Sequence, residues 1–317
     1  MEQMDAIRTE NLTKVFGANR AVDGLSFSVA PGEIFGLVGP DGAGKTTTMR
    51  LLAGIMDATS GGAWVDGLDV IKHPEAIKDH IGYMSQRFGL YVDLTVMENI
   101  AFYADLYGVP RAEFGERLER LLAFSGLSPF KRRAAGDLSG GMKQKLGLCC
   151  ALIHTPKVLF LDEPTNGVDP VSRRDFWRIL YQLLKENVSI FVSTAYLDEA
   201  ERCARVGLMH KGKLLACDTP SGVKGLMKGT LLEVRCPEAR KAALLLKPSG
   251  IGSVAIFGDR LHVVVQDPDL GRAAVASALR GAGLVCEEIS VAEPSLEDVF
   301  TSALLSESAE RRVPSAE

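Results

Sequence analysis

A glycine-rich segment with the spacing of a phosphate-binding loop lies near residue 40. The sequence there is GPDGAGKTT, preceded by the apolar run IFGLV and followed by a stretch that favours a helix. Glycines let successive backbone N–H groups point into one concavity, and the helix adds the positive end of its dipole. Lys45 can supply a charge for the β- and γ-phosphates, and the Thr46 hydroxyl can ligate Mg²⁺. The pattern predicts a nucleoside triphosphate site. Its expected contacts are Gly39, Pro40, Asp41, Gly42, Ala43, Gly44, Lys45, Thr46 and Thr47.

Two acidic residues follow an apolar run, VLFL, at residues 158–161. They are Asp162 and Glu163. A carboxylate at the end of a parallel strand lies at the same sheet edge as a phosphate loop. We therefore expect Asp162 to hold Mg²⁺ and Glu163 to act as the general base that polarises a water towards the γ-phosphate. The alternative is a strand that ends in two solvated acids, and the phosphate loop argues against it.

Two further motifs lie between these segments. LSGG, at residues 138–141, precedes a helical pattern, and Gln86 lies within YMSQRF. The Ser139 hydroxyl, the glycine amides and the helix N-terminus can form a second anion receptor, although an ordinary serine cap has the same pattern. The Gln86 amide is expected to reach Mg²⁺ or the attacking water. The full segment is Leu138, Ser139, Gly140 and Gly141.

Composition and charge exclude several classes of protein. The 317 residues are 46% hydrophobic, with a formal net charge of −4, which predicts a sizeable core and two domains. There is no basic block typical of nucleic-acid partners and no apolar run of roughly 18–20 residues, and the first ten residues lack the apolar stretch expected of a signal peptide. The six cysteines lack C-x-x-C spacing, which is typical of a reduced cytoplasmic protein. Any membrane role is expected to depend on another protein.

The order of these motifs, followed by GVD at residues 167–169, resembles the nucleotide-binding subunit of ATP-binding-cassette (ABC) transporters. The resemblance covers residues 7–226. It implies an α/β, P-loop NTPase domain at residues 1–228, with a helical subdomain at about residues 87–150. The closing sequence resembles the ABC-2-type drug and polysaccharide exporter branch, and the chain looks most like the first half of tandem exporter ATPases.

The resemblance also implies cofactors and partners. ATP and Mg²⁺ would bind, and the LSGG segment of one subunit would close over the ATP held by another. Asp169 would bridge the two sites, and Phe16 would stack on adenine, although a core position for Phe16 is equally compatible. The implied partners are polytopic membrane (permease) subunits, a second nucleotide-binding subunit, identical or homologous, and a periplasmic membrane-fusion protein. The implied location is peripheral, on the cytoplasmic side of the inner or plasma membrane, and no nucleic-acid partner is implied.

The sequence departs from the family pattern at two positions. Asp41 stands where the family usually has Asn, and Ala195 stands where it has a histidine that donates to the γ-phosphate. The Asp41 carboxylate either needs an offsetting cation beside the triphosphate or faces away from it. Ala195 cannot donate, and strand alternation points Tyr196 elsewhere. The expectation is a site that binds ATP well and hydrolyses it slowly, since one lost donor costs on the order of 10²–10³ in rate.

The segment after Gln86 reads as a helical insert. Residues 96–106 and 114–124 carry apolar residues at helical spacing, and Thr95 and Glu98 form a capping-box pattern. Phe88, Leu90 and Tyr91 are candidates for contact with a membrane subunit, and ordinary packing of the insert is the alternative.

The pattern changes after residue 229. Strands at 230–236, 252–257, 261–266 and 284–291 and helices at 237–246 and 270–282 are expected. This is a ferredoxin-like, α+β βαββαβ module at residues 229–305. Ser295 is expected to cap a last helix, and residues 306–317 to form a disordered tail. Support of subunit pairing is the favoured role over ligand sensing.

Three functions remain open from the sequence. The leading one is an ATPase subunit that powers an exporter. The others are a binding-only regulatory cassette in a heteromeric complex and a soluble cassette ATPase that acts on ribosomes or DNA.

Overall fold

The computed structural model describes residues 4–86 and 89–310, with side chains described to residue 304. The chain divides into two compact units, Met1–Cys217 and Asp218–Glu317. The helix Pro220–Gly225 packs on the C-terminal helix Leu296–Glu310, so the second unit begins before residue 228. Phe88, one of the proposed membrane-subunit contacts, lies outside the described residues.

The first unit contains ten strands and six α-helices in its described part. The strands are β1 (Ile7–Phe16), β2 (Asn19–Val29), β3 (Ile34–Val38), β4 (Ser60–Val65), β5 (Leu68–Asp69), β6 (Ile81–Met84), β7 (Val158–Asp162), β8 (Ser189–Thr194), β9 (Arg205–His210) and β10 (Lys213–Asp218). The helices are α1 (Lys45–Leu52), α2 (Val96–Leu106), α3 (Arg111–Ser125), α4 (Gly140–Leu152), α5 (Pro170–Lys185) and α6 (Leu197–Ala200).

A six-stranded sheet forms the centre of this unit, in the order β10-β9-β3-β8-β7-β6. The pairings from β9 to β6 are parallel. Strands β3, β7 and β8 are buried along their whole length, as expected for a parallel sheet covered on both faces. The register pairs Val38 with Thr194 and Asp162 with Ser193. The ends of these three strands therefore meet at one edge of the sheet.

A second sheet, β2-β1-β4-β5, is antiparallel. It packs on the first through three aromatic rings. Phe27 of β2 stacks on Phe35 of β3, with centroids 5.3 Å apart, and on Phe191 of β8 at 5.8 Å. Each such buried ring contributes about 1.5–3 kcal/mol of hydrophobic stabilisation.

Helices α2, α3 and α4 form the insert between β6 and β7. Thr95 Oγ1 accepts from the Glu98 N–H at 3.2 Å, and the Thr95 N–H donates to Glu98 Oε2 at 2.8 Å. This confirms the predicted capping box. None of the helices in the described ranges is long and apolar enough to cross a membrane.

The second unit contains a four-stranded antiparallel sheet. Its elements are α7 (Pro220–Gly225), β11 (Thr230–Arg235), α8 (Ala239–Leu246), β12 (Ser253–Phe257), β13 (Arg260–Val265), α9 (Pro268–Gly281), β14 (Glu288–Ala292) and α10 (Leu296–Glu310). The order β12-β13-β11-β14, with every pair antiparallel, is that of a ferredoxin-like fold. The fold class predicted from the sequence is confirmed in both units.

Two details differ in the second unit from the sequence expectation. The last strand begins at Glu288, four residues later than expected, and the chain leaves α9 through Gly283 at φ 69°. Helix α10 runs to Glu310, so residues 306–310 of the expected tail are helical. Residues 311–317 of that tail lie outside the described residues. Ser295 caps this helix as expected, since its Oγ accepts from the Asp298 N–H at 3.3 Å.

Candidate nucleotide-binding site

The loop between β3 and α1 requires glycine at two positions, Gly39 and Gly44. Gly44 has φ 111°, and a Cβ there would lie 2.2 Å from the Ala21 carbonyl oxygen. A Cβ on Gly39 would lie 2.2 Å from the Met209 carbonyl oxygen. Gly44 precedes the first residue of α1 and offers no side chain to cap it. The amides of the first turn of α1 therefore keep their hydrogen-bonding capacity for an anion.

Lys45 is almost buried, with 4% of its side chain exposed. Its Nζ donates to the carbonyl oxygens of Gly39 at 2.7 Å and Pro40 at 3.1 Å. The same atom lies 3.1 Å from Oε1 of Glu163. These contacts hold the ammonium group at the mouth of the loop, where it can meet phosphate oxygens.

A chain of hydroxyl and carboxylate groups links α1 with β7 and β8. Asp162 Oδ1 accepts from Thr46 Oγ1 at 3.0 Å and from Ser193 Oγ at 2.7 Å. Burial raises the pKa of the Asp162 carboxyl, although the two donated hydrogen bonds act in the opposite direction. Hydroxyl and carboxylate oxygens are the ligands that Mg²⁺ prefers, and these two lie side by side.

Glu163 adopts a left-handed backbone at φ 48°, a conformation that non-glycine residues rarely take and that is common at functional sites. Its N–H donates to Ser193 Oγ at 3.0 Å. Its Oε2 accepts from Gln86 Nε2 at 3.0 Å and from Asn166 Nδ2 at 3.3 Å. The structure thus brings Gln86 and Glu163 together from segments far apart in sequence. Sequence reasoning missed Asn166, because a single asparagine carries no motif.

Lys45, Thr46, Gln86 and Glu163 line one cavity of about 690 Å³, and Asp162 is linked to it through its hydrogen bond with Thr46. Phe16, at the end of β1, is 47% exposed and lines the same cavity, so it is not a core residue. Lys14 Nζ lies 5.1 Å from the centre of its ring. Arg20 and Lys211 also line the cavity, and no sequence pattern pointed to them. The complete lining is Phe16, Asn19, Arg20, Ala21, Asp41, Gly42, Ala43, Gly44, Lys45, Thr46, Thr47, Gln86, Glu163 and Lys211.

The LSGG segment and Asp169 do not line this cavity. Ser139 precedes α4, and its Oγ accepts from the Met142 N–H at 3.3 Å. Asp169 caps α5 by accepting from the Val171 and Ser172 N–H groups at 3.1 and 3.0 Å. Hydrogen bonds from Ser172 lower the pKa of the Asp169 carboxyl. Within one chain both residues serve as helix caps.

Comparison with known proteins places the chain in a family. Residues 22–166 match the family model described as ABC transporter. Daunorubicin resistance ATP-binding protein DrrA2 of Streptomyces coeruleorubidus is 35% identical over 93% of this chain and 94% of its own length. The chain belongs to the ABC transporter ATP-binding proteins.

Two further similarities agree with this assignment. The probable multidrug ABC transporter ATP-binding protein YbhF of Escherichia coli (strain K12) is 44% identical over 95% of this chain. The chain spans about half the length of that relative, since the match covers 52% of it. A solved structure of the ATP-binding subunit of an ABC transporter has a TM-score of 0.63 and 28% identity, over 69% of this chain and 92% of that one.

Both departures from the ABC pattern face a second, smaller cavity of about 130 Å³. Asp41, Ala195 and Glu163 all contribute to its wall. The Tyr196 ring lies against the Arg173 guanidinium, 4.4 Å from its carbon, and the Tyr196 N–H donates to Thr194 Oγ1 at 2.9 Å. The complete lining is Asp41, Glu163, Thr165, Asn166, Thr194, Ala195 and Tyr196.

A buried carboxylate connects three segments of the ABC ATPase site. Glu199 is 0% exposed and accepts from Thr194 Oγ1 at 2.8 Å and Thr165 Oγ1 at 2.5 Å. Arg173 Nε of α5 lies 3.4 Å from the same carboxylate. Glu199 thus ties the end of β8 to the segment after Glu163 and to α5. Sequence reasoning missed it, because two of its partners, Thr165 and Arg173, lie far along the chain.

Proposed function

We propose that this chain is the ATP-hydrolysing subunit of an ABC-2-type exporter. The observation that carries the proposal is the convergence of Lys45, Thr46, Asp162, Glu163 and Gln86 around a cavity with an exposed aromatic ring at its rim. A charged residue, a hydroxyl, two carboxylates and an amide are the groups that phosphoryl transfer to water requires. The drug-resistance and multidrug names of the relatives support the exporter class.

The residues fit Mg²⁺. Thr46 Oγ1 and Asp162 Oδ1 lie 3.0 Å apart, and Gln86 uses its amide nitrogen on Glu163, which leaves its carbonyl oxygen for a cation. We propose that these three residues would hold Mg²⁺ beside the bound nucleotide. When bound, the ion would neutralise charge on the phosphate oxygens.

We propose roles for the chain's own residues in the reaction of ATP with water to give ADP and phosphate. The loop amides and Lys45 would orient the phosphates, and the ring of Phe16 would stack on the adenine. Glu163 would accept the proton of the attacking water while the bond between the γ-phosphorus and the bridging oxygen breaks. Gln86 and Asn166, which both donate to Oε2 of Glu163, hold that carboxylate in place.

The LSGG segment supports a two-chain arrangement. Ser139 is exposed at the start of α4 and lies outside the cavity lined by the phosphate loop of the same chain. We propose that it completes the ATP site of a second nucleotide-binding subunit, identical or homologous, with Asp169 bridging the two sites. Nucleotide then holds the pair together.

The partners and location follow from the exporter assignment. The insert presents exposed Tyr91 and Phe102, whose rings lie 4.7 Å apart, and helix α2 also carries exposed Met97 and Leu106. We propose that this apolar surface receives a cytoplasmic helix of a polytopic membrane subunit. The chain would act peripherally on the cytoplasmic side of the membrane, and a periplasmic membrane-fusion protein would complete the exporter.

Ala195 supports a second candidate function. The methyl group offers no donor beside Glu163, so the site would bind ATP and hydrolyse it slowly. In a heteromeric complex the chain would then serve as a regulatory cassette, while its partner supplies most of the turnover.

The experiment that tests these proposals is purification of the intact membrane complex. Intact-complex mass spectrometry gives the partners and their stoichiometry, and phosphate release gives the turnover. An exporter requires a polytopic membrane subunit in the complex and ATP turnover that Lys45→Ala abolishes. Turnover that survives Lys45→Ala but requires the partner's own phosphate loop supports the regulatory cassette. Association with ribosomes or DNA, and no membrane subunit, contradicts both.

A further inference from the structure

The turn between β9 and β10 brings a lysine to the wall of the nucleotide cavity. Lys211 is exposed and contributes to the same cavity of about 690 Å³ as Phe16 and the phosphate loop. Lys213, two residues further along, is also exposed but does not contribute to it. The chain therefore provides one cation on the turn, Lys211, which lines the cavity, and one at the start of β10, Lys213, which does not.

This turn is fixed against the phosphate loop. The Gly212 N–H donates to the Ala43 carbonyl oxygen at 2.8 Å, and the Asp23 N–H donates to the Gly212 carbonyl oxygen at 2.8 Å. A Cβ on Gly212 would lie 2.8 Å from the Arg20 carbonyl oxygen. The backbone that carries Lys211 is thus held at a set distance from the loop that would cradle the phosphates.

The charges around the turn leave Lys211 without a counterion. Asp23 binds the other two cations of this corner, with Arg20 Nη1 at 2.9 Å and Lys213 Nζ at 3.7 Å. Within residues 4–86 and 89–310, no hydrogen bond or ion pair to Lys211 is found. The buried Lys45 already contacts Glu163, and Asp41 adds a further carboxylate to the cavity. Lys211 is a cation that can offset this negative charge when a polyanion binds.

Lys211 has a left-handed backbone conformation, which is unfavourable in free energy for a residue with a side chain. Lys211 has φ 45° and Gly212 has φ 82°, the pair of left-handed residues that a type I′ hairpin turn requires. Asn, Asp or Gly is preferred at the first of these positions. A lysine there is not explained by turn chemistry, and such local strain is found where a side chain has a function.

We propose that Lys211 binds the nucleotide, with its ammonium group on the phosphate chain of ATP or ADP. The inference rests on the proposed function, since it concerns the same site. It adds a cation from the β9–β10 turn to the cation that the phosphate loop supplies, and it offsets the carboxylate of Asp41. Lysine acts in this way as a point charge on phosphate oxygens.

The test is equilibrium binding of ATP, ADP and adenosine to the full chain. Lys211→Asn removes the charge and keeps a residue that tolerates the left-handed turn. We expect it to raise the Kd for ATP by about three- to tenfold at low salt, and the difference to shrink at high salt because the contact is screened. Lys211→Arg keeps the charge and is expected to stay within about twofold of the parent. Lys213→Asn is the matched control and is expected to leave the Kd unchanged.

Two results would overturn the inference while the proposed function stands. One is an ATP Kd for Lys211→Asn equal to that of the parent, in a preparation where Lys45→Ala loses binding. The other is an equal loss of affinity for adenosine and ATP, which would place the lysine on the nucleoside instead of the phosphates. A parent chain that binds no nucleotide would overturn the proposed function together with this inference.

Discussion

Lys45 and Glu163 form an ion pair in which Nζ lies 3.1 Å from Oε1. The lysine comes from the first turn of α1 and the glutamate from the segment after β7, so the pair joins the phosphate loop to the candidate general base. Both side chains are at least nine-tenths buried. Removing either partner of a buried charge pair leaves the other uncompensated, which is costly in free energy.

Glu163→Gln separates catalysis from binding. The amide has the size of the carboxylate and still has an oxygen for Gln86 and Asn166, but it cannot accept a proton. We expect ATP turnover to fall by about 10²–10⁴-fold, while the Kd for ATP stays within a factor of about three. Phosphate release and equilibrium binding measure the two quantities.

The exposed Glu116 of α3 offers a control for this substitution. Glu116→Gln should leave both turnover and affinity unchanged, since its side chain lies outside both cavities. If Glu163→Gln turned over ATP like the parent, Glu163 would not be the base.

Restoring the missing imidazole should accelerate the chain's own site. Ala195→His introduces a donor into the wall of the cavity of about 130 Å³ that also contains Glu163. We expect turnover to rise by about 10²–10³-fold, the usual effect of one transition-state donor. Single-turnover kinetics with excess enzyme isolates the chemical step. Fast turnover of the parent, with no gain on substitution, would show that this position is not limiting.

Asp41 should modify that gain, because Asp41 and Ala195 line the same small cavity. A carboxylate there would attract the introduced imidazole away from a phosphate. Asp41→Asn combined with Ala195→His should therefore give more than the product of the two single effects, since neighbouring substitutions couple. A double variant whose rate equals that product would show that the Asp41 side chain does not interact with the imidazole introduced at position 195.

Glu199 is predicted to stabilise the first unit. Glu199→Ala leaves the hydroxyls of Thr165 and Thr194 without their acceptor and removes a carboxylate 3.4 Å from Arg173 Nε. Removing one partner of a buried charge pair costs about 3 kcal/mol, and we expect that loss in the free energy of unfolding.

Tryptophan fluorescence in a urea titration measures this loss. The chain has two tryptophans, Trp64 and Trp177, and both lie in the first unit. Glu116→Ala is the control, with an expected change within about 0.5 kcal/mol. Equal midpoints for the two variants would contradict a stabilising role for Glu199.

The second unit should lose stability as the pH rises above 6.5, the ordinary pKa of histidine. The hydrogen bond to Asp298 raises the pKa of His262, with a further contribution from Glu233, while burial opposes the shift. His262 Nδ1 lies 2.6 Å from Asp298 Oδ1. Because the pKa of His262 is raised in the folded state, protonated His262 stabilises the fold. This contribution is fully present below the ordinary pKa of 6.5 and is lost as the pH rises through the folded-state pKa.

The carboxyl of Asp298 determines how the stability contribution of the same contact changes at low pH. Burial alone would raise the pKa of Asp298, but hydrogen bonds from His262 and Ser295 outweigh it and lower that pKa. Its contribution is therefore present above 3.8, the ordinary pKa of Asp, and is lost as the pH falls through the folded value. Calorimetry of the full chain between pH 3 and 9 should show a Tm dependence that His262→Gln flattens above pH 6.5. If the curves of Tm against pH ran parallel for the parent and His262→Gln, the contact between His262 and Asp298 would not be the source of the pH dependence.

The sequence was informative wherever a function depends on consecutive residues. The phosphate loop is read from nine neighbouring residues, and the Asp162–Glu163 pair from an apolar run with an acidic end. The capping box and the order of the βαββαβ module are equally local. In each case the backbone geometry follows from turn chemistry and side-chain periodicity within a short window.

The remaining contacts depend on distances that no short window contains. Glu199 and Thr165 are 34 residues apart, and Lys211 reaches the cavity only because β9 pairs with β3. Asp41 and Ala195 look like independent departures in the sequence, and only the parallel order β3-β8-β7 places them around one cavity. Long-range register, which the sequence pattern does not encode, therefore decides these parts of the site.

The exposed ring of Phe16 has a consequence for the selectivity between ATP and GTP. A phenylalanine offers a nucleobase only its flat face, and every base has such a face. Hydrogen bonds to the edge of a base are what distinguish adenine from guanine, and the Phe16 side chain has no polar atom to make them. If Phe16 stacks on the base as proposed, GTP should compete with ATP for this contact, and any preference between the two must come from other groups around the cavity.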